Sequence, residues 1–428
     1  MFGTSDGSRR EFMRAAVAIG GAGALSACME RAQEPVPPGD RGALPTRQYA
    51  WVDHVPEDEH GNFRLPRHHV FLYSNYEEDG TPSADEADRL ETALRSLERA
   101  YQWSNQGLLF SLGYSPSYFE RFDRSLPSSV DLPAPRRLSD FEEPDLDEQD
   151  LLLQLASDSA EVVLAAEEAV LGARDEVNTV EMEADAGDFL TVDERRTGFI
   201  SGGMPAEKAT EGVEGIPTEA NIPEQSPLFM GFKGGFADNQ ASEDHIAIEE
   251  GPFAEATTKH VSNIRQRLQD WYIEQDFEDR VAEMFSATHA KEEMVEGAGL
   301  NLGDGSGITD AMTTDLVETA NEYGRVGHAQ KNARFNRDAD GNVILHRRHV
   351  ESTDNGYASL HFPSLQREIS QFERVRVGMN GDDVRESPRI RQRVNNGILE
   401  YIFTLHRGNF LVPARSQRSF PTPAGEVV

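Results

Sequence analysis

The chain carries one cysteine, Cys28, so no disulfide framework can hold it together and its stability must come from a packed core. The material for such a core is present. Of 428 residues, 38% are hydrophobic and 8% aromatic, which fits a folded chain of two or three domains and argues against a disordered or fibrous one. No uninterrupted apolar run reaches the ~18 residues of a spanning helix. Any attachment to a membrane is therefore expected through lipid.

The place of the cysteine supplies that lipid. Ser8-Arg9-Arg10-Glu11-Phe12-Met13-Arg14 resembles a twin-arginine export signal, and the small-residue stretch from Ala15 to Ala24 fits the segment that follows one. Leu25-Ser26-Ala27-Cys28 then resembles a lipobox. Residues 1–28 read as signal, with export and anchorage to the outer face of the cytoplasmic membrane through lipidated Cys28, and no thiol is left for catalysis. Residues 29–58 are rich in Pro, Gly, Arg and acid without periodicity and read as a flexible tether. Twin-arginine export carries folded cargo, often with a cofactor already inserted.

Asp and Glu number 75 against 41 Lys plus Arg, a formal charge of -34, which disfavours nucleic acid or an anionic membrane surface as partner. The only lysines are Lys208, Lys233, Lys259, Lys291 and Lys331. This balance reads as halophilic, because dense carboxylates repel one another in dilute buffer and are screened where the Debye length shrinks to ~3 Å at 1 M salt.

From residue 59 the periodicities alternate. His69–Ser74, Leu108–Leu112 and Leu151–Leu155 read as strands; Leu90, Ala93, Leu94 and Leu97 recur at helical spacing, and Ala160–Leu171 forms an Ala-rich helix. The order suggests a ferredoxin-like α+β unit over 59–226. Residues 172–227, rich in acid, Gly and Pro, read mostly as loop, with weak strand signals at Asn178–Met182. A second unit over 227–420 shows the same style, with strand signals at Val343–Leu345, Ala358–Leu365 and Asn409–Pro413, helix signals at Asp276–Phe285 and Ile369–Met379, and a tail at 421–428. The Gly- and Asp-rich loop Gly297–Gly307 lacks the lysine of a phosphate-binding loop.

Several segments in order carry a family resemblance: Gln106–Ser115, Leu151–Leu171, the GFKGGFADN stretch from Gly231, His260–Tyr272, the HAQKNAR stretch from His328, VILHRR ending at Arg348, SLQREI from Ser364, and NFLVPARSQR from Asn409. Together they resemble the dye-decolourising peroxidases, a haem peroxidase family of two ferredoxin-like domains. The resemblance implies haem b, with its iron, as cofactor, and hydrogen peroxide with a small-molecule reductant as substrates. Self-association into a homo-oligomer is compatible with it.

On this resemblance His328, at the head of its motif, is the axial iron ligand, neutral imidazole being the usual one. Glu400 matches the carboxylate that receives the other imidazole N–H. Arg347 matches the arginine over the haem, with Arg348 as a possible swap, and Arg334 is a candidate partner for a haem propionate or a plain surface ion pair. Gly231 and Lys233 belong to the stretch beside the cofactor. The family's distal acid is the aspartate of a GxxDG motif, which moves the peroxide proton. Here the sequence departs from the pattern: one register places Gly234 at that position, a shifted register offers Asp238, and Asp244 is a third candidate. Trp271, Tyr272 and Tyr401 are candidate electron relays or, more simply, core residues. Three readings stay open: a peroxidase, a haem-binding lipoprotein with little turnover, and a haem-free binding lipoprotein on the same scaffold.

Overall fold

The computed structural model describes residues 35–40, 42 and 44–428, so the signal segment and Cys28 lie outside the described residues. The first half runs β1 (His68–Tyr76), α1 (Ala84–Ala100), β2 (Leu109–Tyr114), β3 (Leu151–Ser157), α2 (Ala160–Val170) and β4 (Leu190–Phe199). Strands β2 and β3 are buried along their whole length because each has a neighbour on either side and packed side chains on both faces. Helix α1 starts at a capping box, with the Ser83 N–H donating to Glu86 Oε2 at 2.7 Å, and turns Leu90, Leu94 and Leu97 into the core. The antiparallel order β4-β1-β3-β2 is that of a ferredoxin-like unit.

The second half repeats the plan with β5 (Thr257–Gln266), α3 (Phe277–Met284), α4 (His328–Phe335), β6 (His346–Arg347), β7 (Val350–Ser352), β8 (Ser359–Gln366), α5 (Ile369–Gly378) and β9 (Ile402–Val412). Its order is β9-β5-β8, with β6 and β7 both on the far side of β8. The halves join twice, Tyr114 of β2 opposite Leu411 of β9 and Phe199 of β4 opposite Glu351 of β7. The expected boundary near residue 226 falls in a connecting loop, yet both units share one sheet closed into a barrel. Its interior holds Phe71, Tyr73, Leu152, Val261, Val350 and Phe410, drawn from both halves. Beside them Lys259 Nζ donates to Ser111 Oγ at 2.7 Å and Gln154 Oε1 at 3.0 Å.

Strand β4 lies in the segment read as loop. Its sequence, LTVDERRTGF, hides the strand because its arginines find partners far along the chain, Arg195 with Glu167 and the buried Arg196 with Asp147, besides Glu194 within the strand itself. The strand expected at Val343–Leu345 forms instead at His346–Arg347. The expected tether is packed over its later part. Tyr49 and Trp51 are 0% and 1% exposed, and the Gln48 side chain bonds Leu112 N and O and Pro413 O, clasping the β2–β9 seam. The expected tail is also folded in: Phe420 is buried, its N–H donates to Tyr114 Oη at 2.8 Å, and Val428 N returns to Phe420 O. Just before it Arg415 and Arg418 both ion-pair with Glu98 of α1, and Arg418 with Glu91 as well.

Candidate functional site

Four segments meet at one slot: the loop Leu228–Phe236, the start of α4, the β6–β7 segment and the outer face of β8. Its walls are largely apolar, with Met230, Phe232, Phe236, Phe285, Phe362 and Ile398. The empty space, part of it open to solvent at the mouth, is about 880 Å³.

His328 reaches this slot because its backbone is squeezed into place. A Cβ on Gly327 would run into the Phe285 carbonyl, and one on Gly397, which has φ +61°, would lie 3.1 Å from His328 N and Cα. One turn on, buried Lys331 pins the helix by donating to Met379 O, Asn396 O and Asn396 Oδ1 at 2.7–2.9 Å, and burial lowers its pKa well below the usual value. The His328 imidazole makes no hydrogen bond among the described residues. Burial, with Lys331 and Arg347 nearby, pushes its pKa down to about 3, leaving it neutral.

Arg347 lines the same slot. Gln240 holds its backbone from both sides, accepting from Arg347 N at 2.8 Å and donating to Arg347 O at 2.9 Å. Its guanidinium donates to Asn239 O at 2.9 Å, while Nε is buried without a partner, and burial lowers its pKa to about 10. Arg348 faces the other way, donating to Tyr49 O and Glu243 under the Trp51 ring. Of the two arginines, Arg347 is the one at the site.

The other expected residues separate. Gly234 lines the slot, whereas Asp238 is exposed on a 3-10 turn outside it and Asp244 is 90% exposed at its side chain and paired with Arg47. The registers that supplied an acid are thus corrected, because positive φ at Gly231 (+89°) and Gly235 (+73°) bends the loop so that Gly234 faces inward. The Glu400 carboxylate makes no hydrogen bond to His328 or to any other described residue, and its backbone carbonyl accepts from Arg393 Nη2 at 3.2 Å. The buried carboxylate on the helix packed against α4 is Glu283, 2% exposed, with Oε2 unpartnered and its pKa raised to about 7 by burial. Arg334 points away, ion-paired with Asp383 at 2.5 Å. Lys233 lines the slot, but its ammonium donates to Asp58 at 2.8 Å, and Gly231 packs under the Tyr272 hydroxyl instead of lining it. Trp271 and Tyr272 bond the carbonyls of Met230 and Phe229 as core residues, and Tyr401 is buried with them.

Sequence reasoning missed His349 and Glu351, both on the slot wall. The signal was the alternation Arg347-x-His349-x-Glu351, which at strand spacing puts all three on one face. Elsewhere, Asp147, Glu194 and His406 cluster as metal ligands do, but Arg196 donates to both carboxylates and occupies that space.

A family model described as a family of unknown function, DUF7405, matches residues 66–414. The chain belongs to the DUF7405 family. No curated protein matches it. Solved structures similar to this DUF7405 chain include DyPB from Rhodococcus jostii RHA1, with 13% identity, TM-score 0.53, and coverage of 87% of this chain and 98% of that one. The encapsulated DyP-type peroxidase from Mycobacterium smegmatis has 17% identity and TM-score 0.53 over 84% and 97% of the two chains, and the dye-decolorizing protein from V. cholerae 10% and 0.51 over 86% and 98%. The α+β architecture of two ferredoxin-like units is thereby the fold of this DUF7405 chain.

Proposed function

We propose that the chain binds haem b in the slot, where His328 would hold the iron and Arg347 would lie on the slot wall, and reduces hydrogen peroxide with a small-molecule donor. The observation that carries the reading is the convergence of a partner-free imidazole and a guanidinium with an unpartnered Nε on one largely apolar slot. The donor set fits an iron macrocycle: a neutral imidazole to ligate, apolar walls to cover a flat ring, and a cation. Bound haem would supply the iron that takes up and activates peroxide oxygen. Arg347 would stabilise negative charge developing on that oxygen, and the phenylalanines would exclude water. The solved neighbours named as peroxidases support this reading at the level of fold.

A second reading, haem binding with little turnover, is favoured by Gly234, which offers no side chain where the resemblance expects an acid. Protein purified in molar salt and titrated with haem should develop a Soret band at one equivalent. A colourless protein rules out both readings, and a loaded protein that reacts with peroxide no faster than free haem keeps only the second.

Export and lipid anchorage belong to the same proposal. Cys28→Ser should leave the protein unprocessed or release it to the medium, and unchanged partition of that variant into detergent refutes the anchor. Among the described residues no helix is long and apolar enough to cross a membrane. The halophilic reading has support in where the lysines lie: Lys208, Lys259 and Lys331 are at most 3% exposed and Lys233 is half-buried, so surface cations are almost all Arg. With charge -34 to screen, the thermal unfolding midpoint should climb from low to molar KCl. A flat or falling midpoint contradicts it.

A further inference from the structure

We propose that Arg347, His349 and Glu351 form one polar ladder on the slot wall and that this ladder moves the proton of bound peroxide, the work Gly234 cannot do. The inference rests on the peroxidase reading of the slot.

The three residues alternate along β6–β7 with Arg348, which turns to Tyr49 and Glu243, and Val350, which enters the barrel interior. Each presents a buried polar atom without a partner: Arg347 Nε, His349 Nδ1 and Glu351 Oε2. Leaving such an atom unpaired is unfavourable, and all three belong to residues that line the slot, so this wall holds hydrogen-bonding capacity that the fold itself leaves unmet. Glu351 is 0% exposed and held through its other oxygen, which accepts from Phe229 N at 2.9 Å and Gln266 Nε2 at 3.4 Å. His349 lies parallel to the Phe362 ring, 10° between planes and 6.2 Å between centroids.

Gly234 and His349 are two solutions to one spatial problem. A Cβ on Gly234 would lie 2.9 Å from His349 Nε2, so the imidazole fills the room that a longer residue at 234 would need. The environments also separate the proton affinities. Burial takes His349 down to about 3 and Glu351 up to about 8, so at neutral pH the wall carries a base, an acid and a cation together. Neutral His349 accepts the proton from one peroxide oxygen and returns it to the other, while Arg347 stabilises the negative charge present between the two transfers. The Glu351 carboxyl donates a hydrogen bond and keeps its proton. The protein ends with the protons it began with.

Cyanide reads this base without turnover, because hydrogen cyanide must lose a proton to bind ferric haem. In haem-loaded protein, His349→Gln should slow cyanide binding and peroxide reaction by about 100-fold or more with full haem content, and Glu351→Gln by about tenfold. Gly234→Asp alone should bring no gain, since the new side chain collides with His349, whereas Gly234→Asp with His349→Ala should recover most of the rate. In haem-free protein at neutral pH, the infrared carbonyl absorption of protonated carboxyls should lose its Glu351 component in Glu351→Gln, the part due to Glu283 remaining. Full haem with cyanide rates within about twofold in His349→Gln overturns the ladder and leaves the peroxidase reading standing, as does a carbonyl absorption that Glu351→Gln leaves unchanged. A wild type that takes up no haem overturns the peroxidase reading and the ladder with it.

Discussion

On the proposed reading, His328→Ala should fold as the wild type does and lose most of its haem. The imidazole contributes no hydrogen bond to the fold among the described residues, so its removal leaves the body intact: the helix it heads is fixed by Gly327, Gly397 and the three bonds of Lys331. Partners that merely orient a ligating histidine are commonly worth about 10- to 100-fold in metal affinity. Loss of the ligand itself should weaken haem binding by about 100-fold or more, and free imidazole should restore part of the Soret absorbance by entering the vacated space. His289→Ala is the control, because that ring is tied to Ser286 Oγ and Ser306 O outside the ligating position. An unchanged spectrum and affinity in His328→Ala would disprove the assignment.

The second large effect concerns stability. Glu98, 3% exposed on α1, is the shared partner of Arg415 and Arg418, and Arg418 is fully buried. Glu98→Ala leaves two guanidinium groups facing each other without their shared carboxylate, with only Glu91 at 3.0 Å to compensate. Breaking a buried ion pair by removing one partner typically costs about 3–5 kcal/mol. The loss should persist in molar salt, because buried pairs are screened far less than surface charges. Denaturant unfolding of Glu98→Ala and Glu98→Gln in high KCl checks this, with the amide variant intermediate; a loss below about 1 kcal/mol means the cluster is solvated in solution.

What was legible in the sequence followed distance along the chain. The strands β1, β2 and β3 and the helices α1 and α2 announce themselves by local pattern, and His328 and Arg347, which both line the slot, each sit in a short motif beside the element that positions them. Strand β4 could not, because Arg195 and Arg196 look like surface charges until Glu167 and Asp147 are brought beside them. The Asp238 register failed for a related reason: two glycines with positive φ decide which side chain faces the slot, and their conformation is set by the packed loop, not by its spelling. Tyr49 and Trp51 were the missed sign that the supposed tether is anchored, since large aromatic residues seldom serve a free linker.

The seam between β2 and β9 has a consequence for how the protein is made. Strand β2 is complete by residue 114, but its neighbour across the seam ends at Val412, and the Gln48 clasp and the Arg415–Arg418 cluster wait for the same late residues. From Phe199 to Val412, about half of synthesis, the ribosome therefore presents a four-stranded sheet with an unsealed edge, the kind of edge that recruits other nascent chains. Closure is an event of the finished polypeptide, so translation can be slowed or paused over the second half without leaving behind a mature barrel of the first.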